Sequence, residues 1–203
     1  MSETRIPTQK RSIEKRNKII EKGFELICEK GYHNTNTSEI AKYAEVSTGI
    51  VYQYFNDKEE ILIEGVKNYS QKIMYPLINI LETEEINEKS IEQILNDIID
   101  KFIDSHTMSK KAHEELIAMS HINEKVSEIF HKSELETTEN IVNLLEQNNI
   151  YLKNKYEKVH IMVGLIDNLC HEIVYHKHEN LNYKIMKQEA INIIISMLKD
   201  TEN

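Results

Sequence analysis

An all-α fold, with a small N-terminal head and a larger helical body, is the fold class that this sequence predicts. The 203 residues include only 2 Pro and 5 Gly, which favours long uninterrupted helices and leaves little turn chemistry for sheets. A hydrophobic content of 40% allows a substantial core. Apolar residues recur at helical spacing along most of the chain, which predicts about nine helices.

The first helix is predicted from Ser12 to Lys30, after a polar N-terminal segment. Gly31 is expected to end this helix, because glycine readily adopts the left-handed conformation beyond a helix C-terminus. The apolar stripe of the helix is formed by Ile13, Ile19, Ile20, Phe24 and Ile27.

The next stretch predicts two short helices joined by a turn. Asn36 is a favourable N-cap, and Glu39 three residues later completes a capping-box pattern. The first of these helices is expected to end at residue 44 or 45. Ser47 or Thr48 can cap the second one.

The second short helix is predicted to have one buried face and one face available to a partner. Val51 and Phe55 lie at i, i+4 spacing and are expected to be buried. Two helices joined by a short turn, the second exposing small and hydrogen-bonding side chains, have the geometry of a DNA major-groove reader. Spacing alone equally allows two core helices. The exposed face is predicted to carry Thr48, Gly49, Ile50, Gln53 and Tyr54.

One set of residues at fixed spacing spans the predicted helix-turn-helix and its flanks: Gly31, Tyr32, Thr35, Asn36, Ile40, Ala41, Ala44, Val46, Ser47, Gly49, Tyr52, Tyr54, Phe55, Lys58, Glu60 and Leu62. In these positions the N-terminal part of the chain resembles the tetracycline-repressor (TetR) family of bacterial transcriptional regulators. This resemblance implies a helix-turn-helix DNA-binding domain at residues 1–56 and a helical ligand-binding and dimerisation domain at residues 57–203.

The resemblance implies a homodimer that binds a pseudo-palindromic operator in double-stranded DNA and is released by a small-molecule effector. Repression fits best, with activation of transcription as the alternative. Lys58 follows the motif inside the first turn of a helix capped by Asn56 or Asp57, which suits a phosphate contact. The implied DNA contacts are Thr48, Gly49, Ile50, Gln53 and Tyr54 to bases, Thr37, Ser38, Tyr52 and Lys58 to phosphates, and Ser47 beside them.

Two residues depart from the family pattern. Glu45 stands in the turn where the family usually has Gly, and Thr37 stands where it usually has Val. If the turn residue adopts a positive φ, glutamate there costs on the order of 1 kcal/mol. Glu45 also places a negative charge near DNA, so restoring glycine is expected to tighten operator binding.

The net charge of -9 and the pI near 5.5 are unusual for a DNA-binding chain. The charge is unevenly distributed, however, because residues 1–22 carry seven basic and three acidic side chains. Cys28 and Cys170 lie in apolar stretches without metal-like spacing and are expected to be buried free thiols. The sequence has neither a signal peptide nor a membrane-length apolar run, which predicts a soluble cytoplasmic protein without a membrane partner.

The body is predicted to contain six further helices. The penultimate helix is apolar on more than one side, so other helices are expected to cover more than one of its sides. It suggests a homodimer through a four-helix bundle, with a deeper monomer core as the alternative. The predicted spans are Lys58 to the early 80s, Ser90–Ser105, Lys110–Met119, Asn123–Gln147, Lys153–His176 and Tyr183–Lys199.

Histidines in the penultimate helix invite a metal interpretation. His160, Asp167 and His171 lie on one helix face, but side chains two turns apart do not converge on one ion without residues from elsewhere. A polar patch in the dimer seam or a ligand-cavity lining is therefore favoured, and no metal or cofactor is predicted.

A di-metal carboxylate bundle is the alternative from another functional class. Glu128 with His131 and Glu157 with His160 both have the Glu-x-x-His spacing used in such bundles. Chance accounts for this spacing in a glutamate-rich chain, and the bundle would leave the helix-turn-helix resemblance unexplained. Phosphate-binding loops and nucleophile elbows are also absent from the sequence, which predicts that the protein is not an enzyme.

An effector cavity inside the body is a further implication of the resemblance. Ligand binding there would favour a conformation in which the fourth helix spreads the two heads out of register with the operator. The candidate lining residues are aromatic, soft or polar: Tyr69, Tyr75, Phe102, His106, Met108, Met119, His121, Phe130 and Met162.

Overall fold

The computed structural model describes residues 7–83, 90–106 and 108–201, apart from the side chains of residues 73–77 and 83. The predicted all-α class is confirmed: β structure in these ranges is limited to an isolated bridge between Leu152 and Thr201. The helices are α1 (Lys10–Lys30), α2 (Thr37–Tyr43), α3 (Thr48–Tyr54), α4 (Lys58–Thr83), α5 (Ile91–Ser105), α6 (Lys110–Ile122), α7 (Glu124–Gln147), α8 (Lys155–Tyr175) and α9 (Tyr183–Leu198).

Side-chain caps fix the starts of α2, α3 and α4. The Asn36 side chain accepts from the Glu39 amide at 3.0 Å while Glu39 accepts from the Asn36 amide at 3.1 Å, so the predicted capping box is confirmed. Ser47 caps α3, and Asp57 accepts from the amide three residues later to begin α4. Gly31 ends α1 with a φ of 95°, a conformation that glycine adopts without strain.

The chain forms two compact units. The first comprises Met1–Ser70 and Met108–Phe130, and the second comprises Gln71–Thr107 and His131–Asn203. Each unit is therefore assembled from two separate stretches of sequence. The units are defined by packing and not by function, so the domain boundary after residue 56 stays a prediction.

The first unit packs α1, α2, α3 and the beginning of α4 around one core, to which α6 and the start of α7 also contribute. Helices α1 and α4 approach closely at two glycines: a Cβ on Gly23 would lie 2.6 Å from Ile61, and a Cβ on Gly65 would lie 2.5 Å from Phe24. Any larger residue at these positions would force the helices apart. Members of the core include Ile19, Ile27, Ile40, Val51, Phe55, Ile61, Leu62, Leu116, Met119 and Val126.

The second unit packs α5 against α8 and α9, with side chains of α7 completing its core. Ile99 and Phe102 of α5, Cys170 of α8 and Ile191 of α9 are all at most 1% exposed. In the described part of the chain, every helix is too short or too polar to cross a lipid bilayer.

Candidate nucleic-acid interface

Helices α2 and α3 are joined by the short turn that the sequence predicts. The turn is held by backbone hydrogen bonds from the Ala44 amide to the Ile40 carbonyl at 2.8 Å and from the Val46 amide to the Ala41 carbonyl at 2.9 Å. Glu45 lies between these two amides with a φ of 56°, in the left-handed region. The turn thus does require the conformation that favours glycine, and this chain forms it with glutamate.

Helix α3 presents a polar surface on one side and packs into the core on the other. Gly49, Tyr52 and Gln53 are exposed, with Tyr52 at 53%, while Thr48 and Ile50 are half-buried. The residues free to meet a groove are therefore Gly49, Tyr52 and Gln53, with Thr48 and Ile50 at the edge. Their contacts with bases and phosphates stay predictions.

Tyr54 is on the opposite side of α3 from the predicted one. It is only 9% exposed and belongs to the core of the first unit together with Val51 and Phe55. Positions i and i+3 share a helix face, so Tyr54 follows Val51 inward. The placement of Tyr54 on the exposed, base-facing surface is thus wrong.

The predicted phosphate contacts have different surroundings. Ser38 is exposed in the first turn of α2, and the neighbouring Thr37 is half-buried. The Lys58 ammonium instead points inward: its Nζ donates to the carbonyl oxygens of Tyr32 at 2.5 Å and Thr35 at 2.8 Å. It also lies 4.2 Å from the centre of the Tyr32 ring. Lys58 thus ties the segment between α1 and α2 to the start of α4, and a phosphate would have to share this cation.

The Glu45 carboxylate forms an ion pair with Lys18 of α1, with Oε2 2.5 Å from Nζ. Both side chains are exposed, at 79% and 43% respectively. The Lys18 ammonium lowers the pKa of the Glu45 carboxyl below its usual value, so the pair stays charged at neutral pH. The glutamate in the turn therefore engages one of the cations expected to attract phosphate.

Three further basic residues of α1 also face carboxylates: Arg16, Lys22 and Lys30, the last paired with Glu39. Arg16 Nη2 lies 2.8 Å from Glu64 Oε2, and the guanidinium lies 5.1 Å from the centre of the Phe55 ring. Lys22 pairs with Glu25 one turn along α1. Lys10 and Arg11 are exposed at the start of α1, whereas Arg5 lies outside the described residues.

The candidate effector residues are divided between the two compact units, and their contact with an effector stays a prediction. Tyr69, Met108 and Phe130 pack against the core of the first unit, and Met119 is buried within it. His121 is exposed near the end of α6, and the Tyr75 side chain lies outside the described part of the structure.

In the second unit, Met162 lines a cavity of about 50 Å³, and Phe102 instead contacts the His106 ring, with 5.0 Å between ring centres. The cavity is lined by apolar side chains: Leu81, Ile91, Ile94, Leu95, Ile98, Ile141, Leu145, Val159, Met162, Val163, Ile166, Ile194 and Leu198. The sequence interpretation missed most of these residues because an aliphatic cavity wall and an aliphatic core have the same pattern.

The histidine face of α8 divides into two parts. His160 is exposed, and its Nδ1 lies 3.1 Å from the Thr138 hydroxyl of α7. Asp167 and His171 lie further along α8 beside His106, which follows the last residue of α5. His106 is thus the residue from another part of the chain that convergence on one ion requires. It lies beside two of the three predicted residues, Asp167 and His171.

The di-metal alternative is not favoured. Glu128, His131, Glu157 and His160 are all exposed. Among the described residues, the cluster of potential metal ligands is formed by other side chains. The cysteines agree with prediction: Cys28 and Cys170 are buried free thiols, and burial raises the pKa of each to about 12.

Residues 19–64 match the family of bacterial regulatory proteins, tetR family. Over 64 residues the chain is 45% identical to the HTH-type transcriptional regulator HbdR of Aromatoleum sp. (strain CIB), covering 30% of this chain and 28% of HbdR. It is also 49% identical over 49 residues to the fatty acid metabolism regulator protein of Bacillus subtilis (strain 168), covering 24% and 25% of the two chains. The match thus spans only about a quarter of the length of these relatives.

The similarity of fold extends further than the similarity of sequence. A TetR-family transcriptional regulator of Mesorhizobium loti MAFF303099 has a solved structure that aligns over 94% of this chain and 98% of its own, with a TM-score of 0.74. The sequences are 18% identical, so the likeness establishes the fold alone.

Proposed function

Because this chain belongs to the tetR family of bacterial regulatory proteins, we propose that it is a transcriptional repressor that binds operator DNA as a homodimer and is released by a small-molecule effector. The observation that carries the proposal is the exposed polar side of α3, with Gly49 and Gln53, held by a capped helix-turn-helix. Such a helix enters the major groove with its N-terminal residues at the base edges.

Gln53 is the side chain best suited to read sequence. It is exposed on α3, and a glutamine amide can donate to and accept from the edge of an adenine. Such a pair discriminates against wrong bases by about 1–3 kcal/mol. Gln53→Ala should therefore reduce base preference at one operator position while leaving binding to unrelated DNA unchanged.

Selection of bound fragments from the source genome tests operator recognition directly. Fragments that share a two-fold related sequence are expected, and fluorescence anisotropy then gives their affinity beside that of scrambled DNA. Ser120→Ala, in α6 and outside the helix-turn-helix, is the matched control for Gln53→Ala. Equal affinity for selected and scrambled DNA would refute sequence-specific regulation.

Exposed apolar residues on α8 and α9 support the homodimer. Ile161 of α8 is 57% exposed, and Ile185 and Ile193 of α9 are 58% and 48% exposed. Large aliphatic side chains at helix surfaces are stabilised when a partner covers them. The unmodified protein should have twice the chain mass of 23.9 kDa by light scattering, and Ile161→Glu should yield monomers. Ile122→Glu, at an exposed position of α6, should leave the mass unchanged; a monomeric unmodified protein would contradict the dimer.

The apolar cavity of the second unit supports an effector with an alkyl group. Its wall consists of aliphatic and thioether side chains, which offer a ligand burial and no hydrogen bonds. Its volume of about 50 Å³ is far below the roughly 300–1,000 Å³ typical of ligand pockets. An alkyl ligand must therefore expand the cavity. It would bind the expanded conformation more tightly than the unliganded one and so shift the protein toward it.

A chain-length series tests this part of the proposal. Decanoate and dodecanoate should raise the thermal midpoint and release bound DNA, while acetate, which has the same carboxylate but no chain, should do neither. Release that does not depend on chain length would exclude the cavity as the effector site.

A further inference from the structure

Three potential metal ligands from two helices meet in the second unit. His106 follows α5, and Asp167 and His171 lie on successive turns of α8. One ligand atom from each lies within 4.8 Å of the other two. We propose that this cluster is a binding site for a divalent first-row transition metal ion, with two imidazole nitrogens and one carboxylate oxygen as protein ligands.

The His106 ring is already oriented for metal binding. It is buried, with 6% of the residue exposed, and its Nδ1 lies 2.6 Å from the Phe102 carbonyl oxygen. A carbonyl only accepts hydrogen bonds, so Nδ1 carries a proton, and in the neutral ring Nε2 then carries the lone pair. A histidine that donates from one ring nitrogen to a carbonyl and binds the metal with the other is the usual arrangement in metal sites.

The two ligands on α8 are held on one face by their spacing. Asp167 and His171 are four residues apart, and His171 Nδ1 lies 3.5 Å from Asp167 Oδ2. The His171 ring stands nearly perpendicular to the His106 ring, at 84° and with 5.1 Å between centres. Tyr175, one turn further, packs beside both rings at 6.0 and 6.1 Å and covers one side of the cluster.

The dimensions of the cluster suit a metal after small side-chain rotations. Bonds of about 2.0–2.2 Å in tetrahedral geometry place ligand atoms roughly 3.4 Å apart. The present separations of up to 4.8 Å therefore need to close by little more than 1 Å. Asp167 and His171 are 35% and 26% exposed at their side chains, so an ion and a water molecule can reach the site.

The electrostatics of the cluster favour a bound cation over protonation of its side chains. Burial raises the pKa of Asp167 to about 6 and lowers the pKa of His171 to about 4, so burial disfavours the charged form of each side chain. Around them, the Glu134 carboxylate raises the pKa of Asp167 and the His106 ring opposes this shift, while the rings of His106 and His176 disfavour protonation of His171. A dication would bind the neutral imidazoles and stabilise the carboxylate.

The ligand set determines the class of metal. Imidazole nitrogen favours Zn²⁺, Fe²⁺, Co²⁺, Ni²⁺ and Cu²⁺ over Mg²⁺ and Ca²⁺, which prefer all-oxygen sites. Three protein ligands also leave at least one coordination position for water or for an anionic group of a small molecule. The three ligands all belong to the second unit, so metal binding can be measured without operator DNA.

The test is a titration of the tag-free, chelator-treated full chain with Zn²⁺, Co²⁺ and Ni²⁺. Saturable binding of one ion per chain is expected, and an excess of Mg²⁺ should not compete. Asp167→Asn and His171→Gln should weaken binding at least tenfold. His160→Gln, on the same helix but bonded to Thr138, should bind like the unmodified chain.

Two outcomes would overturn the proposal: no saturable binding of any of the three ions, or equal affinity in all three variants. Circular dichroism checks that the variants fold. A second measurement avoids variants altogether, because pulsed electron paramagnetic resonance of the chain loaded with one Cu²⁺ counts the bound imidazoles. Two are expected, and none or one would reject the site.

Discussion

Replacing Glu45 by glycine should tighten DNA binding by releasing a cation as well as removing an anion. In the folded chain the Glu45 carboxylate pairs with Lys18 of α1, next to the turn of the helix-turn-helix. The ammonium of Lys18 would then be available to phosphate. The same change relieves the positive φ of a residue that has a side chain, so the variant should not lose thermal stability.

The size of the effect follows from counterion release. Each phosphate neutralised steepens the dependence of log affinity on log salt by about 0.9. A dimer would gain two such contacts, one from each Lys18, and thus a slope steeper by about 1.8. Between about 1 M salt, where this attraction vanishes, and about 0.15 M, such a slope corresponds to roughly thirtyfold tighter binding.

Fluorescence anisotropy of a selected operator fragment over a salt series measures both quantities. Glu45→Gln is the matched control, because it removes the charge but keeps a non-glycine residue at positive φ. It should reproduce the gain in affinity and slope without the gain in backbone freedom. If both variants bind within twofold of the original chain with the same slope, the ion pair does not limit DNA binding and the reasoning fails.

Gly65→Ala should lower the free energy of unfolding by about 1–3 kcal/mol through overpacking against α1. Urea denaturation measures this change, and an unchanged free energy of unfolding would contradict the close helix contact. At pH 8 a thiol reagent should leave Cys28 and Cys170 unmodified until the chain is denatured, since the pKa of each is about 12; rapid labelling of the native chain would disagree. Lys58→Met should lower the melting temperature and weaken binding to every DNA sequence, because two carbonyls lose their donor at a cost of about 1 kcal/mol. A melting temperature that does not change would show that these contacts are not needed.

The local features of the fold could be predicted because their causes are close in sequence. Asn36 and Glu39 form a capping box within four residues, and Gly31 ends a helix by its own conformational freedom. The family resemblance singled out Glu45 as a position where glycine is usual, and the positive φ observed there belongs to the geometry of the turn itself.

Features that depend on the third dimension were harder to foresee. Tyr54 lies near the boundary between the two faces of α3, and only packing decides which side its ring takes. The charge of Lys58 predicts a solvent-exposed side chain. Its long aliphatic stem instead lets the ammonium turn inward and donate to backbone carbonyls. His106 joins Asp167 and His171 only because α5 packs against α8, and no spacing within one helix contains that information.

The first unit is discontinuous in sequence, and this limits how it can be isolated or regulated. Residues Met108–Phe130 supply Leu116, Met119 and Val126 to the core that supports α2 and α3. A fragment ending at residue 70 would lack them and should fold poorly, even though it contains the entire helix-turn-helix. The chain also passes between the units three times, so three covalent connections can transmit a rearrangement of one unit to the other.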